Sequence, residues 1–475
     1  MSACDGSRWR EDPVTPAPAG GGTPLPPDHA GAPRLYGVEA DRDVSVLYAR
    51  LRAWGPVAPV LLEGDVPAWF VSGVRELQQV MGRSEWFSRD HRCWNLWGRI
   101  DRDHPALEHM TGTVARFGEN RGDRADAIGD ILAAVPAIDL RDLVLSVSRE
   151  RIAVFASAGS ADLVADYARH VPARVLARLC DSVNDIPLAA DLFIAADTGP
   201  GAAPARRRLH ARLTGLVLDR RRLPGADPLS RIAGRWGRED PAETAQDLQV
   251  ALVHGQKATA DWISGTLYRA LAGDKSAEAL AAGRITVPGF VEETLWRDTP
   301  ARNTVGRWAV QDCDLGGRRI RRGDLLVLGL AAAGRVAPPP TGQRPRIFFG
   351  HGERGCPYPA PGIAATITAV AVETVLENLP DLRPAPPGPC RRASLWADGP
   401  ESLPVDFTPF PREAYRRLSA AVGSGQGGED LRTARVHGEI GQHVAAGGPP
   451  VEDDDRQAPV GGSPDEPPSG QDGQR

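Results

Sequence analysis

The chain has 475 residues, with 56 basic and 61 acidic side chains and a formal net charge of -5. That length supports a large buried core, and that charge balance gives no electrostatic basis for binding nucleic acid or an anionic membrane. There is no charged start followed by an apolar run, the longest apolar run (325–333) is far short of the ~20 residues of a transmembrane helix, and the six cysteines form no CxxC pair, so a cytoplasmic protein with reduced thiols is expected.

Residues 1–34 are rich in Pro, Gly and Ala and predict a disordered N-terminal tail. A helix is expected from Val44 to Trp54, stopped by Gly55 and Pro56. Residues 57–62 and 68–71 then read as a hairpin closed near Gly64 and Asp65. Helical patterns dominate from Arg121 to Asp298. The clearest begins at Asp240, where Pro241 takes the first helical position and Glu243 completes a capping-box pattern. It runs to Gly273 without another proline, long enough to cross a core. Short strands follow around 305–327, then a Pro-rich connection and a helix over about 361–379. No aromatic residue lies beyond Tyr415. The organisation is therefore a folded body over 35–420, mainly α with small β-sheets, and a Gly, Pro and acid-rich tail over 421–475.

The chemistry concentrates in the loop Phe349-Gly350-His351-Gly352-Glu353-Arg354-Gly355-Cys356-Pro357-Tyr358. Its glycines permit tight turns and close approach to a flat ligand. Cys356 stands just before a helix, whose N-terminal N–H groups and dipole lower the cost of a thiolate. The residues alone also allow a structural cysteine beside a tight turn. A zinc site on His351 and Cys356 lacks a second ligand pair nearby.

This loop resembles the cytochrome P-450 signature F-G-x-G-x-R/H-x-C-x-G, departing only at Tyr358, which replaces the last glycine. The resemblance covers about residues 36–410 and implies the P-450 fold, a helix-rich triangular prism. It implies haem b with Cys356 as axial iron ligand, bordered by Phe349, and Arg354 on a propionate. Arg124, with Asn120 where the family has His, and Arg307 match further propionate contacts. The long helix matches the family's oxygen-handling I helix. Gly255 is kept, but Lys257 stands at the acid position and Ala258 at the alcohol. Thr259 matches a common second threonine and is the remaining candidate for proton delivery, though it points about 100° from Ala258. The family's E-x-x-R pair becomes Glu293 and Trp296. Either Arg297, four residues after Glu293, replaces the arginine, or Trp296 fills its place with apolar bulk. The substitution resembles an actinobacterial subgroup with Trp at that position. Trp86, Trp94 and Trp97 are expected to overlie the distal pocket.

The function implied is a monooxygenase acting on a small organic substrate, with electrons from a ferredoxin and its NAD(P)H-linked reductase. The alternative is a haem-binding regulatory or interaction subunit, within a G-protein-like complex. The altered long helix and a short connection before the cysteine loop favour the alternative.

Overall fold

The computed structural model describes residues 26–36, 44–100, 129, 132–133, 136–180, 185–197, 201–225, 227–235, 240–335, 346–352, 355–392 and 394–410. Asn120, Arg124, Arg354 and most of both expected tails lie outside them. Helix α1 (Val44–Ala53) stops where the glycine predicts: the Trp54 and Gly55 amides bond back to Leu51 and Arg52, and Gly55 takes φ +105°. Strands β1 (Val57–Leu62) and β2 (Val66–Val71) form the hairpin, with Val57 opposite Val71 and Leu62 opposite Val66. Every residue of β1 is buried, as its unbroken apolar run requires.

Helix α2 (Val74–Gly82) and strand β3 (Phe87–Ser88) lead to the helical region. That region holds α3 (Ala137–Phe155), the short strand β4 (Ser160–Asp162), α4 (His170–Cys180), α5 (Asp185–Ala195), α6 (Ala202–Arg222) and α7 (Pro228–Arg235). The long helix α8 (Pro241–Leu271), α9 (Lys275–Ala281) and α10 (Val287–Arg297) complete it. Strands β5 (Thr304–Ala309), β6 (Cys313–Leu315), β7 (Arg318–Ile320) and β8 (Leu325–Leu328) return to the hairpin side. Then come α11 (Leu330–Gly334), α12 (Ala360–Asn378), β9 (Arg383–Pro384), β10 (Cys390–Arg391), β11 (Pro400–Ser402) and β12 (Pro404–Asp406). The main sheet has the order β1-β2-β8-β5-β3, with β2 and β8 parallel; β4-β12-β9, β6-β7 and β10-β11 form smaller sheets.

The sequence placed a tail over 1–34, but its last part joins the fold. The Leu35 amide bonds to Leu61 O at 2.8 Å and the Leu61 amide to Pro33 O at 3.0 Å. His29 is buried edge-on against Trp69, with Nε2 3.0 Å from Ala68 O. Composition hid this, because Pro33 supplies a carbonyl and needs no N–H to pair. Two of the tryptophans expected over a pocket make defined contacts. Trp94 lies in the core beside Phe70 and Trp308, while Trp97 sits on His91 at a centroid distance of 4.1 Å.

Helix α8 begins as predicted, with Asp240 accepting a hydrogen bond from the Ala242 amide at 3.0 Å. Ile263 and Leu267 pack with Val147 of α3 and Val372 of α12 in the largest core. Leu248 and Leu252 join a second core with Leu192 and Leu209 of α5 and α6. Helix α12 is long and apolar enough to cross a membrane, but Ile367, Val370, Val372 and Val375 are spent on the core it shares with α3 and α8.

Candidate active site

Successive helix residues turn by about 100°, and α8 divides accordingly. Gln256, Thr259, Ala260, Ile263 and Leu267 are buried on one side. Gln256 fixes that side to the start of α4, its Nε2 donating to Arg169 O at 2.9 Å. The other side presents a partly or fully accessible stripe of His254, Lys257, Ala258 and Asp261. Thr259 is therefore not brought to the stripe that holds Ala258. Gly255 is half-buried, and among the described residues a methyl there would meet only Leu176 Cδ1 at 3.8 Å, so none of them demands glycine.

Charge runs along this stripe. Lys257 Nζ lies 3.1 Å from Asp261 Oδ2. Arg392, next to β10, reaches the same carboxylate from the hairpin, with Nη2 3.2 Å from Oδ1. The ammonium that replaces the expected acid is thus tied one turn down the helix. Asp261 had no place in the sequence reading, although its spacing of four from Lys257 is a pairing signal.

The cysteine loop is built by its glycines. Gly350 and Gly352 take φ +80° and +68°, and a Cβ on Gly352 would sit 3.0 Å from Gly82 Cα at the end of α2. The turn returns the Cys356 amide to Phe349 O at 2.6 Å. Cys356 is exposed, and α12 starts four residues later. Tyr358, which departs from the signature, points outward and is 86% exposed, so its bulk meets no obstacle. Phe349 lies edge-on to Trp262 of α8 at 5.9 Å, and Trp262 Nε1 donates to Val291 O of α10 at 3.0 Å. One aromatic contact therefore fixes the loop against the long helix. Arg307 on β5 is 7% exposed and donates to Gly306 O at 2.9 Å.

A haem fits this donor set. An accessible cysteine at a helix start can serve iron as thiolate, glycines leave room for a macrocycle, and a buried guanidinium suits a propionate. No group of three metal-ligating side chains occurs among the described residues.

Helix α10 resolves the Glu293 alternatives in an unforeseen way. Arg297 does pair with Glu293, Nε to Oε1 at 2.9 Å, but Arg297 is 53% exposed. Trp296 is 5% exposed and packs with Met81, Leu330 and Ile347. Its Nε1 has no hydrogen-bond partner, so it acts through apolar bulk. The buried cation is Arg269, from the last turn of α8. Its guanidinium lies 3.3 Å from Glu293, 3.2 Å from Asp298 and 3.3 Å from Asp274, donates to Thr294 Oγ1 at 3.0 Å, and rests over Phe290. Burial raises the Glu293 pKa, but the hydrogen bond from Ser276 and the charges of Arg269 and Arg297 outweigh it and hold it below the ordinary range. At Asp298 burial wins, and its pKa is raised. The available signal was one arginine within the otherwise uncharged run from Trp262 to Leu271. Arg346, just before the cysteine loop, pairs with neighbouring Glu292 at 2.6 Å.

The helix order, small sheets and cysteine loop define a class, and the comparisons agree on it. The fold is that of the cytochromes P-450. A Bacillus subtilis cytochrome P-450 of a bacillaene polyketide synthase, PksS, matches with a TM-score of 0.65 and 21% identity, covering 78% of this chain and 98% of that one. CYP154C4 from a Streptomyces species gives 0.63 and 24%, covering 77% and 95%. Curated relatives support membership of the cytochrome P-450 family. The cytochrome P-450 monooxygenase PikC of Streptomyces venezuelae is 28% identical over 360 residues, 70% of this chain and 83% of that protein. The mycinamicin IV hydroxylase/epoxidase of Micromonospora griseorubida is 27% identical, covering 75% and 94%. No protein-family model matches the chain.

Proposed function

We propose that the chain is a haem-thiolate monooxygenase that inserts one oxygen atom of dioxygen into a small organic substrate. The observation that carries this reading is the exposed Cys356, held at a helix start by a glycine loop and seated under α8 through Phe349 and Trp262. The relatives named as a monooxygenase and a hydroxylase/epoxidase support the same activity. Nothing in the comparisons favours the regulatory alternative.

In this reading Cys356 holds the iron of a haem b, and Arg307 takes a propionate with Arg124, Asn120 and Arg354. When bound, the haem supplies reductive activation of dioxygen, with electrons from a ferredoxin and an NAD(P)H-linked reductase in the cytoplasm. The α8 stripe borders the distal side. Proton delivery must then manage without a hydroxyl at residue 258, because Thr259 is buried on the other face and Lys257 is engaged with Asp261. Trp296 in the core supports the tryptophan subgroup.

The test is the carbon monoxide difference spectrum of the reduced protein. The wild type should show the red-shifted thiolate band, and Cys356→Ala should lose it. Retention of the band in that variant would remove Cys356 from the role.

A further inference from the structure

Among the stripe residues, His254 has no task in the reading above. The family pattern has a small residue there, next to Gly255, and this chain has an imidazole. His254 is at the N-terminal end of the accessible stripe, one turn before Ala258 and two before Asp261 on nearly the same helix face. Neither ring nitrogen has a hydrogen-bond partner among the described residues. By area the side chain is exposed, yet desolvation by the surrounding protein, with the charges of Arg206 and Lys257, lowers its pKa. Trp262 touches the cysteine loop about 12 Å further along the same helix, so the helix that presents His254 also packs on that loop.

We propose that His254 ligates the haem iron of the resting protein through a ring nitrogen, on the side opposite Cys356. The inference rests on the monooxygenase reading. A neutral imidazole is a haem ligand of ordinary strength, and this one is neutral, accessible and uncommitted. Its lone pair displaces a water molecule, with no change of proton or electron count. Dioxygen, substrates with basic nitrogen, and small anions then enter by displacing His254. The ligation would make the resting protein a closed form that opens when a competing molecule takes the iron.

The experiment compares the ferric protein with His254→Ala and His254→Gln by absorption and electron paramagnetic resonance, and titrates each with azide. The wild type should be low-spin with thiolate and nitrogen axial ligands, and both variants should revert to a water-bound or high-spin form. If His254 occupies the iron nine-tenths of the time, removing it should tighten azide binding about tenfold. Identical ferric spectra and equal azide affinities in all three proteins would overturn the ligation. Haem lacking a thiolate band in every protein, His254 variants included, would overturn the monooxygenase reading and this inference with it. A variant that keeps the band but binds azide no more tightly counts against His254 alone.

Discussion

At its C-terminal end α8 carries Arg269, 5% exposed among three carboxylates and a threonine hydroxyl. Three turns earlier it carries Lys257, 40% exposed and paired with one carboxylate that Arg392 shares. Both places depart from the family pattern, and they differ in what was lost. The E-x-x-R arginine braces structure, and a guanidinium arriving from another helix can satisfy the same carboxylate. In the family that the chain resembles, an acid and an alcohol at these positions of the long helix move a proton, which needs a donor at one particular point. An ion pair one turn away cannot supply that. Structural charge is replaceable from any direction, whereas catalytic charge is tied to position.

The most direct way to break this comparison is Arg269→Met. It would strand Glu293 and Asp298 in the interior and should cost about 3–5 kcal/mol in urea unfolding. A loss below about 1 kcal/mol would show that water or Arg297 already serves the carboxylates. Trp296→Ala should cost about 3 kcal/mol, at the low end for a buried tryptophan because an unpartnered Nε1–H leaves with it. The same denaturation series checks it. The catalytic half of the comparison is sharpened by combining Lys257→Glu with Ala258→Thr. Reducing equivalents that end in peroxide should fall and those in product rise, measured with redox partners and a spectrally identified substrate. Tight coupling in the unaltered protein would reveal another relay. Arg297→Ala should be the mildest, about 0.3–0.5 kcal/mol, because its pair with Glu293 is exposed on the arginine side. If it proved worse than Trp296→Ala, the salt bridge would have moved by one residue and not to Arg269.

The cysteine loop was legible because its function is written in ten consecutive residues, with glycine, arginine and cysteine at fixed spacing. The start of α8 was legible for the same reason: Asp240 and Pro241 act on their own neighbours. The turning away of Thr259 followed from helix geometry alone. Arg269 was not legible, since its partners Asp274, Glu293, Thr294 and Asp298 come from two separate stretches that only the packed chain brings together. The N-terminal boundary failed for another reason. Composition measures how much apolar surface a segment can bury, and residues 26–36 are held largely by backbone hydrogen bonds and four buried residues, His29, Ala32, Pro33 and Leu35. Asp261 lay between these cases: the sequence showed its spacing from Lys257, but Arg392 is 131 residues away.

The short N-terminal segment along β1 also bears on how the sheet edge is kept from pairing with other chains. β1 is the outermost strand of the main sheet, and its free side would offer unpaired N–H and C=O groups to any other extended chain. Pro33 and Leu35 occupy that side at Leu61, and Arg34 and Tyr36 clip the segment to Asp65 at the hairpin turn. A chain shortened to begin at residue 37 would keep every residue of the proposed haem site and still lose this cover. The margin of the sheet would then become adhesive, with self-association as the cost of a trim that composition alone makes look harmless.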